Sequence, residues 1–457
     1  MGRTKLWKCV AAGALALLLA ACGSSQPVAL EAQDEYTQLV TIKLSGGETP
    51  QALEARYGGT MLDWRPEAGY ALMGLKDGAA SGVQAANLIG TVEPNAANFV
   101  ASGVSTINGV SLWADGSSLW ADGSSLWADG RSLWADGRSL WADGRSLWAD
   151  GRFLFFPQNT QPLSQIRLEQ AHRNAPNLGK DVKVAVIDTG IDLSHPAFAG
   201  SLVPSSEWRD FVGNDQVPQE GGNYSRPGHG HGTSVAGIVL QVAPRAKILP
   251  IRVLNSFGEG TVANVARAIT YAVDRGAQVI NLSLGSDTAY EAITQALIYA
   301  ASRGVYVVSS AGNDDRSTPN FPARIARTSM EGNPNFYWTS VSSVNTQNAR
   351  SSFANYGREV ELFAPGEQIF APAPGNMKAT WSGTSQAAPL ASGAIALALG
   401  ERDRIRSWVP MSMVSLNMTF SSNDYQANLW MNDPLNSSGK GTLNIERFLN
   451  TVLNPLP

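Results

Sequence analysis

The second half of the chain alternates between short apolar runs and longer amphipathic stretches. Four runs rich in β-branched residues predict buried strands, at 182–187, 247–254, 279–284 and 305–310. Helical periodicity fills the spacers, for example at 262–275 and 288–303. Alternation of this kind is typical of a parallel sheet with helices on both faces. The pattern predicts a three-layer α/β domain over residues 153–457.

A smaller pattern precedes this domain, over residues 35–100. Apolar and polar residues alternate over 40–44 as in a half-buried strand, and Pro50 opens a helix that closes at Gly58. The remaining predicted elements are strands at 60–64 and 70–75, a helix at 79–88 and a short strand at 90–93. The order β-α-β-β-α-β predicts a ferredoxin-like α+β domain.

Six tandem copies of Ser-Leu-Trp-Ala-Asp-Gly-(Ser/Arg) lie between the two patterns, over residues 111–152. A period of seven is typical of a coiled coil, but a glycine in every copy and adjacent Leu-Trp pairs do not fit its apolar seam. Asp-Gly favours a turn, so each copy predicts a short extended piece followed by a reversal. Two interpretations stay open. The composition favours a low-complexity linker, and the alternative is a tryptophan ladder that binds sugar, peptide or a cell-surface polymer.

The first 21 residues have the form of an export signal. A basic start containing Arg3 precedes an apolar run that ends at Ala21 and is too short to span a bilayer. Both cysteines of the chain lie within its first 22 residues, so no disulfide can link its later parts, and Cys22 directly follows the apolar run. The segment around Cys22 resembles a bacterial lipobox, which implies cleavage before Cys22 and a lipid on its thiol. The alternative is a plain signal peptide, and in either case residues 22–34 read as a tether.

Composition excludes some classes of function. The hydrophobic fraction of 44% and the charged fraction of 16% are ordinary for a globular protein with a large core. A net charge of -4 gives no electrostatic reason to expect nucleic acid as a partner. The chain has four histidines, which argues against a His-rich zinc site.

Three polar residues stand at positions suited to catalysis. Asp188 follows the first predicted strand of the large domain, at the sheet edge where parallel sheets bind ligands. His231 lies in Gly-His-Gly-His-Gly-Thr-Ser-Val-Ala-Gly, ahead of a buried helix that we expect to begin at Val235. Ser385 opens another helix, where amide groups face developing negative charge. An aspartate alone would more simply be a helix cap, but the other two residues change that balance.

The segments around these residues resemble the three active-site signatures of the subtilisin family, in that family's order Asp, His, Ser. The resemblance runs from about Gln165 to the C-terminus. It implies a subtilisin-like fold and a secreted serine endopeptidase in which Ser385 is the nucleophile, His231 the general base and Asp188 its orienting acid. It also implies that the domain at 35–100 is an inhibitory prodomain of a zymogen, and that the chemistry requires no cofactor.

The resemblance extends to the residues around the triad. Asn313 would supply a side-chain amide to the oxyanion hole, beside the backbone N–H of Ser385. Two short segments would form the walls that bind an extended peptide. The first wall consists of Ser283, Leu284 and Gly285, and the facing wall of Ser310, Ala311 and Gly312. Their small residues leave room for a sizeable apolar side chain before the cleaved bond.

Several positions depart from the family or take a structural role. We expect His229 in a loop, and Asp192 and His195 in turns and packing. The calcium-binding loop that many relatives have after residue 240 is missing, so a structural calcium ion is assigned no residue. The polar and aromatic stretch at 327–338 replaces a usual short strand near the expected pocket, and Gln386 replaces the more frequent methionine.

Two hypotheses about the whole protein follow. In the first, a monomeric peptidase acts on protein and peptide substrates, is inhibited by its own prodomain and is attached to the membrane through Cys22. Autocleavage between Ala101 and Pro157 would release its catalytic domain from the cell envelope. In the second, a lipid-anchored surface-binding protein uses the tryptophan repeats and carries an inert protease fold. The complete set of Asp188, His231, Asn313 and Ser385 favours the first, because an inert fold has no chemical need for all four.

Overall fold

A computed structural model of the chain describes residues 36–76, 88–95, 99–101, 126–128, 131–133, 139–142, 145–148, 153–154, 156–326, 337–423 and 441–454. These residues belong to one compact unit that begins at Gln33. The predicted export signal, Cys22 and the tether lie outside the described residues. So do the helix predicted at 79–88, apart from its last residue, and most of the stretch at 327–338.

The N-terminal part is a four-stranded antiparallel sheet with one described helix. Its elements are β1 (Gln38–Lys43), α1 (Pro50–Tyr57), β2 (Thr60–Arg65), β3 (Tyr70–Leu75) and β4 (Glu93–Pro94). The spatial order β2-β3-β1-β4 agrees with the ferredoxin-like prediction. Helix α1 begins where the Thr49 side chain accepts the N–H of Ala52 and ends at Gly58, which has φ 66°. Strand β4 lies further along the chain than the predicted 90–93, because Gly90 turns the chain with φ 77°.

The next short strand, β5 (Phe99–Ala101), does not join this sheet. It pairs with two segments of the C-terminal domain. The repeats lie between β5 and the C-terminal domain in the chain.

The described parts of the repeats, together with the two residues Phe153–Leu154 that follow them, form an antiparallel sheet of five consecutive strands. They are β6 (Leu126–Ala128), β7 (Arg131–Leu133), β8 (Ser139–Ala142), β9 (Arg145–Trp148) and β10 (Phe153–Leu154). Ala128 pairs with Arg131, and Ala142 with Arg145, so two residues of the chain separate the strands of each antiparallel pair. Extended pieces and reversals therefore occur in these copies as predicted.

The C-terminal domain is built on a parallel sheet of seven strands, in the order β12-β13-β11-β15-β17-β18-β19. The strands of this domain are β11 (Lys183–Asp188), β12 (Arg209–Asp210), β13 (Lys247–Arg252), β14 (Glu259–Gly260), β15 (Val279–Leu282), β16 (Leu284–Gly285), β17 (Tyr306–Ser310), β18 (Trp338–Val344), β19 (Leu362–Pro365), β20 (Ile369–Ala373) and β21 (Met377–Trp381). Alternate residues of β11 enter different cores, with Val184 and Val186 on one face and Ala185 and Ile187 on the other.

Helices cover both faces of this sheet, which confirms the predicted three-layer α/β fold. They are α2 (Thr160–Gln165), α3 (Leu168–Asn174), α4 (His231–Val242), α5 (Val262–Asp274), α6 (Glu291–Ser302), α7 (Thr384–Gly400), α8 (Val414–Phe420) and α9 (Ile445–Val452). Helices α4 and α7 pack against each other in one core, and α5 and α6 in the other. Helix α4 begins at His231, four residues before the predicted start at Val235.

The N-terminal sheet packs on α5 and α6. Leu39 and Leu72 join the core of these helices, and Arg65 Nη1 lies 2.7 Å from Asp274 Oδ2. Two side chains of the N-terminal part also reach the beginnings of the helices. Glu93 accepts the N–H groups of Glu291 at 2.5 Å and Ala292 at 3.3 Å, and Asn95 Oδ1 accepts the N–H of Ala263 at 3.1 Å. The N-terminal part is therefore attached by polar helix-end contacts as well as by apolar packing.

Candidate active site

The carboxyl end of β11 carries a buried carboxylate bonded to a buried imidazole. His231 Nδ1–H donates to Asp188 Oδ1 at 2.7 Å, and the backbone N–H of Thr189 donates to the same oxygen at 2.7 Å. The two side chains are 0% and 1% exposed. Gly232 permits this approach, because a Cβ at that position would lie 2.1 Å from Gly190 O. The contact therefore depends on glycine in the first turn of α4.

Ser385 lies at the beginning of a helix that runs alongside α4. Gly393 of α7 packs against Val239 and Val242 of α4. These contacts are eight residues beyond Ser385 on one helix and eight to eleven beyond His231 on the other. Both helices begin at the carboxyl edge of the sheet, because His231 bonds Asp188 at the end of β11 and Ser385 bonds Ser283 just beyond β15. The N-cap residue of each helix is a glycine, Gly230 or Gly383, so neither N-cap residue supplies a side-chain acceptor. The first turns therefore offer N–H groups to other side chains of the site.

The serine hydroxyl is turned toward the end of strand β15. Ser385 Oγ donates to the carbonyl of Ser283 at 3.2 Å, and Ser283 Oγ donates to the carbonyl of Ser385 at 2.9 Å. His231 Nε2 is buried and has no hydrogen-bond partner among the described residues. The imidazole is thus bonded to Asp188 on one side, while its other nitrogen is open to accept a proton.

Asn313 lies at the same helix beginning. Its Oδ1 accepts the N–H of Thr384 at 2.9 Å, and the N–H of neighbouring Gly312 donates to Thr384 Oγ1 at 3.1 Å. Because the amide oxygen is bonded in this way, the Nδ2 group is oriented beside the N-terminus of α7. Gly312 has φ 102°, and a Cβ there would lie 2.4 Å from Asn355 Nδ2, so this corner also requires glycine.

The segments predicted to bind peptide hold a strand of the chain itself. β5 pairs antiparallel with β16 on one side, Gly285 with Val100 and Leu284 with Ala101. On its other side it pairs with β14, Glu259 with Val100 and Gly260 with Phe99. The second strand, Glu259–Gly260, was missed by the sequence analysis, although it follows a glycine-containing turn after β13.

The other predicted wall, Ser310–Gly312, is buried. Asn355 Nδ2 donates to the carbonyl of Ala311 at 3.1 Å. The hydroxyl of Ser310 is buried and has no hydrogen-bond partner in the described part of the chain. Gly312 completes this wall next to Asn313.

A second buried carboxylate, Glu220, adjoins the Asp188–His231 pair. Burial raises its pKa to about 7, the charge of Asp188 adds to this, and hydrogen bonds from Thr189 and Thr233 oppose it. Burial lowers the pKa of His231, but the charge and hydrogen bond of Asp188, with the charge of Glu220, outweigh burial and leave that pKa raised. Two carboxylates, those of Asp188 and Glu220, therefore lie around one imidazole.

Comparison with known proteins places residues 179–439 in the family described as the subtilase family. Thermitase of Thermoactinomyces vulgaris is 39% identical over 229 residues, which are 48% of this chain and 75% of thermitase. Subtilisin BL of Lederbergia lenta is 35% identical over 244 residues, 51% of this chain and 82% of that protein. A thermophilic serine proteinase of Bacillus sp. (strain AK1) is 38% identical over 225 residues, 47% of this chain and 51% of that protein.

The chain is a subtilase. Membership of this family makes it a hydrolase of the serine endopeptidase class and confirms the resemblance that the three signature segments carry.

The remaining histidines near the site of this subtilase make structural contacts. His229 Nδ1–H donates to Gly221 O at 2.7 Å, and its ring stands edge-on to Tyr224. His195 Nε2–H donates to Met377 O at 3.0 Å, and Asp192 accepts the N–H groups of Ser194 and Gly375. These contacts agree with the turn and packing roles expected for them.

Among the described residues of the subtilase, no group of three or more His, Cys, Asp or Glu side chains is arranged to hold a metal ion. Within the same ranges, none of the helices combines the length and the apolar character needed to cross a bilayer.

Proposed function

We propose that this subtilase is an exported endopeptidase that cleaves peptide bonds with Ser385, His231 and Asp188, and that it is made as a zymogen with an inhibitory N-terminal domain. The observation that carries the proposal is the buried 2.7 Å hydrogen bond between Asp188 and His231. It lies at the edge of the sheet where Ser385 stands in the first turn of α7 and Asn313 bonds the first residue of that helix. No other buried aspartate in the described residues makes a hydrogen bond to a histidine side chain.

The chemistry follows from the imidazole. His231 Nε2 accepts the proton of Ser385 Oγ as that oxygen attacks the peptide carbonyl, and it then returns the proton to the leaving amine. Rotation of the serine side chain away from Ser283 O brings the hydroxyl to the imidazole. Catalytic hydrogen bonds often tighten only when substrate is bound. Asp188 keeps Nδ1 protonated and stabilises the imidazolium.

The oxyanion is stabilised by the Asn313 Nδ2 group and the backbone N–H of Ser385. Asn313 suits this role because Thr384 fixes its Oδ1 and so aims its amide at the helix beginning. The N-terminus of α7 adds its dipole to the two donors. Substrate pairs as an extended strand with Leu284–Gly285 and Glu259–Gly260, and Ser283, Ser310, Ala311 and Gly312 complete the pocket.

The same pairing supports autoinhibition and points to the maturation site. β5 runs antiparallel to β16, and its last residue, Ala101, lies opposite Leu284, which directly follows Ser283. Ser283 O is the acceptor of the Ser385 hydroxyl. We therefore place the self-cleaved bond between Ser102 and Gly103, within the predicted window from Ala101 to Pro157. A serine before the cleaved bond contrasts with the large apolar residue expected from the small pocket walls.

Export and anchoring rest on the sequence around Cys22. Its position after a short apolar run supports a lipid anchor on the N-terminal domain, so cleavage after Ser102 releases the catalytic domain from the membrane while its inhibitor stays behind.

Expression of the full chain and of Ser385→Ala tests this proposal. We expect wild type to hydrolyse casein and Ser385→Ala to lose at least about 10⁴-fold of the activity, a magnitude measured in this family. N-terminal sequencing of the soluble active form should begin at Gly103, and Ser385→Ala should remain uncleaved. An active form that starts at Cys22 would refute the maturation step, and equal inactivity of both proteins would refute the enzyme.

A further inference from the structure

The loop between β12 and α4 places a carboxylate where it touches both sides of the Asp188–His231 pair. Glu220 is 7% exposed, and its backbone N–H donates to Ile191 O at 3.0 Å. Its Oε1 accepts the hydroxyl of Thr189, next to Asp188, at 2.5 Å. Its Oε2 accepts the hydroxyl of Thr233, two residues after His231, at 2.7 Å. One side chain thus connects the segment of the acid to the segment of the base.

The bonding pattern favours the ionised form of this carboxylate. Thr189 Oγ1 already accepts the N–H of Gly232 at 2.9 Å, and Thr233 Oγ1 accepts the N–H of Asp192 at 2.9 Å. Each hydroxyl therefore has its hydrogen left to donate, and both donate to Glu220. The N–H of Thr233, in the first turn of α4, donates to Oε2 at 3.2 Å as well. A protonated carboxyl would add a donor to a cluster that already consists of donors.

We propose that Glu220 is a positioning residue for the reaction: its negative charge caps α4, fixes the threonines beside Asp188 and His231, and stabilises the imidazolium that forms when His231 takes the serine proton. This inference rests on the proposed triad. Glu220 does not act on substrate itself, because its carboxylate is enclosed by Thr189 and Thr233. It acts through the imidazole.

The neighbouring charges define what a test can measure. The titratable groups around Glu220 lie on three segments of the chain. Asp188 ends β11 and Asp192 follows that strand, His231 begins α4, and Tyr224 and His229 lie on the same loop as Glu220. The charges of Glu220 and Asp192 add to burial in raising the pKa of Tyr224, so Tyr224 stays neutral at working pH. Burial lowers the pKa of His229, which keeps that ring neutral. His231 is therefore the partner whose titration couples to Glu220.

The test is the pH profile of Glu220→Gln, which keeps the shape and removes the charge. We expect the acidic limb of kcat/KM, which reports the free base, to move by about one unit toward lower pH. We expect kcat on the alkaline plateau to fall about tenfold with KM unchanged. Glu220→Asp, which keeps the charge, should retain the limb of wild type. Glu169→Gln, the same change at an exposed site on α3, should match wild type throughout.

A limb that stays in place in Glu220→Gln would overturn the proposal, even if the variant melts at a lower temperature, because a merely structural residue changes stability alone. Should the variant not mature, NMR titration of the His231 ring in the uncleaved Ser385→Ala full chain replaces the kinetics. There, an unchanged His231 titration on adding Glu220→Gln is the overturning result. An inactive wild type would refute the proposed function, and the NMR arm would still decide the role of Glu220.

Discussion

The two helix pairs that cover the central sheet treat their N-termini in different ways. On one face, α5 and α6 begin under the N-terminal domain, where Asn95 and Glu93 accept their first N–H groups. On the other face, α4 is capped by the internal Glu220, whereas the first N–H of α7 goes to Asn313 and glycine leaves the rest without a side-chain cap. A helix end can thus be used to attach a partner, to hold a base or to stabilise an anion, depending on which acceptor is supplied.

The largest effect should come from the helix end that serves the anion. Asn313→Ala removes the amide that Thr384 aligns, and we expect kcat to fall by about 10²–10³-fold with little change in KM, a magnitude measured in this family. Steady-state kinetics on a peptide substrate measure both constants. Asn450→Ala, an exposed asparagine on α9, is the matched control. A large rise in KM with unchanged kcat would instead assign Asn313 to substrate binding.

A smaller effect should appear at the other end of α4. His172 Nε2–H donates to Val242 O at 2.7 Å, and burial lowers the pKa of this histidine from 6.5 to about 4. Between about pH 6.5 and about pH 4, His172 is protonated in the unfolded chain but neutral in the folded chain. The free energy of unfolding therefore decreases as pH falls through this range. The loss reaches about 3 kcal/mol at the lower limit.

His172→Gln keeps a donor but cannot titrate. Both proteins are compared in the Ser385→Ala background, which avoids self-digestion. The free energy of unfolding of the variant, measured with denaturant, should rise relative to that of its parent by about 3 kcal/mol between neutral pH and pH 4. A constant difference across that range would show that His172 does not titrate in this way.

The smallest effect concerns the attachment of the N-terminal domain. Glu93→Ala removes the acceptor from the first turn of α6, and in the Ser385→Ala full chain we expect the amides of Glu291 and Ala292 to exchange roughly tenfold faster. Hydrogen exchange read by mass spectrometry measures this locally. Glu48→Ala, whose carboxylate bonds Ser45 and Gly46 in its own turn, should leave these amides unchanged. Equal exchange in all three proteins would mean that the apolar contacts alone order α6.

The sequence predicted the sheet and the position of Asp188 well, because both depend on local pattern. The β-branched run before Asp188 forms β11, and Ser385 begins its helix as expected. The start of α4 was predicted four residues late, since a glycine-rich segment has low helix propensity and only the packing of Gly232 against Gly190 makes it helical. Local helix propensity does not reflect a contact with a residue that is distant in the chain.

Glu220 illustrates what sequence could not predict. It lies in a loop without periodicity, and its partners are 31 residues before it and 13 residues after it in the chain. The pairing of Glu259–Gly260 with β5 is likewise a contact between distant segments. Contacts of this kind depend on how the whole chain folds, and a lone carboxylate in a loop looks the same whether it will be solvated or enclosed.

The hairpin geometry of the repeats has a consequence for their copy number. Two residues separate β6 from β7 and β8 from β9, whereas five separate β7 from β8, so the spacing of the described strands repeats every two heptads. Duplication or deletion of fourteen residues would preserve the direction of every later strand, whereas a change of seven would reverse it. A change by one hairpin at a time would therefore keep the antiparallel pairing of the strands that follow.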